Sequence, residues 1–249
     1  MEINLYEIAS GIFILTVASV LLLLLTGVAQ GLKGEGNQKE LAGKIFIGLI
    51  GWLILLGVLA VNGFFQNFTV LPPRFLISNL PPLALAIGLL FSGRFSRFLT
   101  KISTARIIGL QTFRGPVEIV LWLLFLNNTV PIQMSFEGRN FDVLVGLTAP
   151  FVAYYVGKKK AGYQQVGVVW NILGLGLVLN IVGIAILSAP SPFRVFMNEP
   201  ANTFIATLPF IWLPGFLVPV AIALHLFSLK QLLQNKSIQH RSQMLQPTT

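Results

Sequence analysis

The chain has 249 residues, of which 55% are hydrophobic and only 10% charged, and its mean hydropathy is +0.79. That leaves too little polar surface to coat a water-soluble globule of this size, so lipid must solvate part of it. With no cysteine, disulfides, thiolate metal sites and a cysteine nucleophile are excluded; the two histidines, one in an apolar stretch and one in the polar tail, argue against a bis-histidine haem, and a net charge of +9 needs an explanation by placement.

Seven apolar segments follow in order: Ala9 to Gln30, Ile45 to Phe65, Phe75 to Ser92, Ile107 to Leu126, Phe141 to Val156, Val166 to Ser188 and Phe204 to Leu229. About 20 residues of helix cross a hydrocarbon core, so most of these are predicted spans outright. The fifth is short and is expected to start earlier or to be shielded by other helices. The predicted fold class is therefore all-α, a polytopic transmembrane bundle of seven helices over residues 1–230, followed by a mobile polar tail over 231–249 that contains His240.

The acidic start, Glu2 and Glu7 with no basic residue ahead of the first span, argues against a cleaved signal peptide. Between spans three and four, Phe95, Phe98, Leu99 and Ile102 recur at helical spacing opposite Arg94, Arg97 and Lys101. This predicts a short amphipathic helix lying on the cytoplasmic leaflet.

Charge placement orients the bundle. Lys33, Lys39 and Lys44 follow span one; Arg94, Arg97, Lys101 and Arg106 follow span three; Lys158, Lys159 and Lys160 follow span five; Lys230, Lys236 and Arg241 follow span seven. The other side carries only Arg74, Arg139 and Arg194, with most of the acidic residues. Such alternation predicts an N-terminus outside and a C-terminus in the cytoplasm. It also explains the basic balance without nucleic acid, because the charges form anchors instead of one continuous groove.

One residue pair departs from lipid-soluble design: Arg114 and Glu118, in the middle of span four. An ionised group at that depth must face protein or a wet cavity. On a helix advancing 100° per residue, Gln111, Arg114, Gly115, Glu118 and Trp122 fall on one stripe, with Pro116 expected to bend the helix. Arg114 and Glu118 can pair along the helix, with Asn171 or Asn180 of span six as further partners. The outer loop Phe136-Glu-Gly-Arg-Asn-Phe-Asp142 adds Arg139, Asn140 and Asp142, with Asp142 expected to cap span five. Prolines 209, 214 and 219 predict an irregular span seven. His225 is expected near its cytoplasmic end, at the interface.

The candidate ligand-binding residues are thus Gln111, Arg114, Glu118, Arg139, Asn140, Asp142 and Asn171. In one reading they bind or move a small polar or anionic solute, with Arg114 as anchor and Glu118 as counter-charge or proton carrier. In another the charged pair staples helices in a non-transporting scaffold or a subunit that meets a partner membrane subunit. A membrane-embedded enzyme is the third reading, although no H-E-x-x-H, Walker loop or dinucleotide fingerprint is present. No cofactor or metal is expected.

Seven helices in this orientation resemble rhodopsins, yet the last span holds no lysine for a retinal Schiff base. SWEET-type sugar carriers share the topology, but their Pro-Gln dipeptides are absent here. The Gln111-x-Phe113-Arg114-x-x-x-Glu118 stretch followed by Phe136 to Asp142 resembles segments of uncharacterised multi-pass bacterial membrane proteins. That resemblance implies a bacterial inner-membrane location and assigns no activity.

Overall fold

The computed structural model describes residues 4–244, with side chains described through residue 234. Lys236, His240, Arg241 and Glu2, which entered the charge pattern, lie outside the described side chains. Helix α1 (Leu5–Gly31) starts on Asn4, whose side chain accepts from the backbone N–H groups of Tyr6 and Glu7, a cap that satisfies donors the first turn leaves free. Then come α2 (Gln38–Val61), a single turn α3 (Arg74–Ile77), α4 (Leu80–Phe91), α5 (Gly93–Thr100), α6 (Thr104–Leu110), α7 (Arg114–Leu126), α8 (Val143–Gly157), α9 (Tyr163–Ser188) and α10 (Val218–Met244).

Six of the resulting helical stretches are long and apolar enough to cross a membrane: Leu5–Gly31, Gln38–Val61, Arg74–Phe91, Thr104–Leu126, Tyr163–Ser188 and Leu213–Gln234. Their outward faces are apolar, as at Leu15, Leu22, Ile47 and Val61, and Phe91 is 86% exposed. This surface suits a membrane-embedded protein, since water would not tolerate so continuous an apolar coat. The seventh apolar helix, α8, has 15 residues, or about 22 Å, against about 30 Å for a hydrocarbon core. Above it, the segment from Pro131 to Asp142 folds inward and buries Gln133, Ser135 and Asn140, so irregular backbone there is surrounded by protein.

The two stretches containing α7 and α10 have more than half of their apolar windows buried and form the centre of the bundle. Between α6 and α7 the helix tightens into a 3-10 turn over Gln111–Phe113. Pro116 accounts for it: proline gives no N–H to the carbonyl of Thr112, and its ring crowds that carbonyl. The proline's effect on the helix therefore shows as this tightened turn, just ahead of it. In the last span, Phe204–Ala206 forms a separate short turn and the continuous helix begins with a π-helical segment, Leu213–Leu217, leading into α10. Pro219 offers no N–H to Gly215, and the Trp52 indole donates to that carbonyl instead (2.8 Å). Trp212 donates in return to the carbonyl of Leu53 (2.9 Å), so α2 and the irregular segment are clasped by two reciprocal indole hydrogen bonds.

Helix α5 is amphipathic as its sequence spacing requires, but its apolar side faces protein. Leu99 and Ile102 are buried with Leu224, and Phe95 lies against Phe227 at 4.7 Å between ring centroids. Contacts also link the basic loops to one another: Lys101 reaches Glu35 at 3.2 Å and the carbonyl of Lys33 at 3.1 Å. Lys230 donates to the last-turn carbonyl of Leu90 in α4, and Gln231 donates to the carbonyls of Leu99 and Ile102. At the opposite end, Gln133 meets Ser188 and Asn198, and Asn180 meets the carbonyl of Arg139. There too, the Arg194 guanidinium hydrogen-bonded to Glu199, helped by the backbone N–H of Ala201, holds that exposed carboxyl below its ordinary value.

Candidate functional site

Helices α6 and α7 meet α8 along a seam of small side chains. A Cβ on Gly146 would sit 2.3 Å from the backbone nitrogen of Gly115, and further along Gly109 faces the Ala153 methyl and Gly157 the Ala105 methyl. Small residues let the backbones approach closely. Asp142, one turn before Gly146, is thereby carried to Arg114.

Arg114 is 2% exposed and holds Asp142 in a fork. Its Nε donates to Oδ2 at 2.5 Å, and its Nη2 pairs with Oδ1. The planar guanidinium matches a carboxylate in this bidentate arrangement, which a lysine could not reproduce. The remaining donors also find partners: Nη1 lies 2.8 Å from His225 Nε2, and both terminal nitrogens reach the Gly174 carbonyl at 3.4 to 3.5 Å. A Cβ on Gly174 would fall 2.4 Å from the His225 ring, so only glycine there lets the imidazole lie against α9.

Because arginine can only donate, His225 Nε2 must accept, which assigns the proton of the neutral ring to Nδ1. Nδ1 then donates to Asn171 Oδ1 at 2.9 Å. The same oxygen accepts from Ser228 Oγ at 2.5 Å, while Asn171 Nδ2 donates to the carbonyl of Gly167. Gln111 joins α10 separately, donating from Nε2 to the Ala221 carbonyl at 2.9 Å, and its Oε1 meets no hydrogen-bond partner among the described residues.

Glu118, 1% exposed, is not in the ion pair. Its Oε2 accepts from Asn140 Nδ2 at 2.6 Å, and Asn140 is held in turn by the Met134 carbonyl at 3.0 Å and by the N–H of Asp142 at 3.1 Å. Asp142 does stand at the N-terminal boundary of α8, but its carboxylate makes no capping bond to that helix. It serves Arg114. Trp122, at the far end of the stripe, donates to Glu137 at 2.6 Å, so the Glu118 and Trp122 end of the stripe faces the inward-folded loop.

Arg114, Glu118 and Asp142 border a cavity of about 80 Å³ whose other walls come mainly from α3, α9, the π-helical segment and the start of α10. Apart from these three and Asn79, the lining is apolar, with residues such as Phe113, Val182 and Leu217. Of the seven residues singled out in the sequence, five converge here through one another: Arg114, Glu118, Asn140 and Asp142 directly, and Asn171 through His225. Gln111 lies one turn away. Arg139 is exposed, its guanidinium 5.5 Å from the centre of the Phe196 ring, and takes no part in the cluster. Among the described residues no group of three or more histidines and acids could hold a metal.

His225 and Ser228 were not among the expected site residues. Their signal was present as polar residues at i, i+3 and i+6 (His225, Ser228, Gln231) in a run from Val218 to Leu233 whose one other polar residue is Lys230, one side of α10 turned to α9 and α6. A lone histidine near the end of a span concealed it.

Residues 73–233 match the family described as Domain of unknown function (DUF8737). The chain belongs to the DUF8737 family. The match holds every residue of the Arg114 and Glu118 cluster and begins after α2. No curated protein and no solved structure matches the chain. The expected kinship with an uncharacterised family therefore stands, and the DUF8737 assignment carries no activity with it.

Proposed function

We propose that this protein crosses a bacterial inner membrane seven times, N-terminus outside, and binds or moves a small solute in the cavity beside Glu118. The topology rests on thirteen basic residues in the loops of one side against three on the other. Contacts between the basic loops at one end, and between Gln133 and Asn198 of the loops that carry Glu137 and Glu199 at the other, support it.

The observation that carries the solute reading is the cavity itself: a space of about 80 Å³ bordered by the buried charges of Arg114, Glu118 and Asp142. Its largely apolar walls and few polar groups suit a small solute. Arg114 has its donors engaged by Asp142, His225 and Gly174, so its task is to tie α7 to α8, α9 and α10. The group left to meet a solute is Glu118. The expected anion anchor is thus recast as a scaffold, and the expected counter-charge becomes the contact.

A thermal-shift series on purified protein against small polar solutes tests this, comparing wild type with Val182→Phe, which fills the cavity from α9. The reading expects at least one solute class to raise the melting temperature of wild type but not of the filled variant. A ligand at 100 times its Kd stabilises by about 2.7 kcal/mol, which such a scan resolves. Identical responses of both proteins to every class would leave the scaffold reading in its place.

A further inference from the structure

The charge balance of the buried cluster names the class of solute, on the footing that the cavity is a solute site. Arg114 contributes one positive charge and Asp142 one negative, and their fork is complete. His225 is neutral, because its Nε2 accepts from Arg114 and its one proton sits on Nδ1. Glu118 is then the excess group: a carboxyl 1% exposed, hydrogen-bonded by a neutral amide, with no cation in ion-pair range among the described residues. Of the elements around the cavity, α7 supplies Arg114 and Glu118 and the start of α8 supplies Asp142, while α3, α9, the π-helical segment, α10 and the short turns at Met134 and Ile205 line it with uncharged residues only.

An uncompensated carboxylate in such a place is costly, and two things relieve the cost: a proton, or a cation of suitable size. The apolar lining does not offer the several oxygens that a bare metal ion needs. It does suit a short hydrocarbon body carrying an ammonium group. We propose that Glu118 is an exchange site at which a small alkylammonium ion and a proton compete. In the empty state Glu118 holds the proton as COOH. On binding, the O–H bond breaks, the proton leaves to solvent, and the carboxylate pairs with the ammonium, so one positive charge enters and one departs. Asn140 Nδ2 donates to Oε2 and can remain bonded in both states.

The competition makes binding weaken about tenfold per unit fall in pH wherever the empty site is protonated, because one proton is displaced for each ligand bound. An amine of ordinary basicity, about 10.4 for a lysine-like group, stays charged throughout that range.

The experiment uses purified full-length protein with propylamine, propan-1-ol and propionate, three solutes of nearly one size. Calorimetry reads binding, and a pH indicator in weak buffer reads proton release. Propylamine should bind with release of about one proton, and Glu118→Gln, whose amide oxygen can still accept from Asn140, should bind at least tenfold more weakly and release none. Binding of propionate in place of propylamine would overturn the cation class while leaving the solute site standing. Equal amine binding by wild type and Glu118→Gln, or binding by wild type without proton release, would overturn the role of Glu118. If none of the three binds wild type, both this inference and the solute reading fall.

Discussion

Arg114 and Glu118 are four residues apart, a spacing that permits an ion pair along one helix, yet the structure gives them different partners. Arg114 selects Asp142 because the carboxylate of a facing helix, brought close by Gly146, accepts two parallel N–H bonds at once. Stability should follow that geometry. Arg114→Ala strands Asp142 as a buried charge and should cost about 3–5 kcal/mol in denaturant unfolding of the detergent-solubilised protein. The double change Arg114→Met with Asp142→Asn removes both charges and should cost clearly less than the sum of its single changes. Strict additivity would mean that the fork contributes nothing as a unit. Arg139, read from the sequence as a site residue, stands outside the cluster, and Arg139→Ala should leave unfolding unchanged within about 0.5 kcal/mol.

At the level of elements, the seam between α8 and the α6–α7 stretch positions the cluster. Gly146→Ala places a methyl 2.3 Å from the Gly115 nitrogen, backbone that cannot turn aside. It should destabilise the protein by about 1–3 kcal/mol, the usual range for overpacking. Gly176→Ala is the control, with nothing within 4 Å of the added carbon. Unfolding midpoints of the two variants decide the point: equal midpoints would mean that α8 does not depend on close approach at Gly146. The small residues were visible in the sequence, but nothing local said which helix they would meet. Helix α5 shows the same limit. Its amphipathic spacing was legible, whereas the choice of Leu224 and Phe227 over lipid as the cover for its apolar side depended on where α10 lies.

For the whole molecule, sidedness is the property most open to direct measurement, because the chain has no cysteine of its own. Single cysteines at Val70 and Met197 should react in intact cells with a membrane-impermeant maleimide, and single cysteines at Glu35 and Lys159 should react only after permeabilisation. The opposite pattern would invert the orientation. Labelling of all four in intact cells would remove the membrane-spanning arrangement.

The sequence alone determined the apolar stretches, the shortness of α8 and the need to shield Arg114 and Glu118, because hydropathy and charge are sums over neighbouring residues. Tertiary structure decided that Arg114 binds Asp142 and His225, that Glu118 is left to Asn140 and a cavity, and that Arg139 stands outside the buried cluster. Those outcomes depend on which helices touch and at what height, and contacts between residues as far apart as 114 and 225 are set by packing that no local stretch of chain contains.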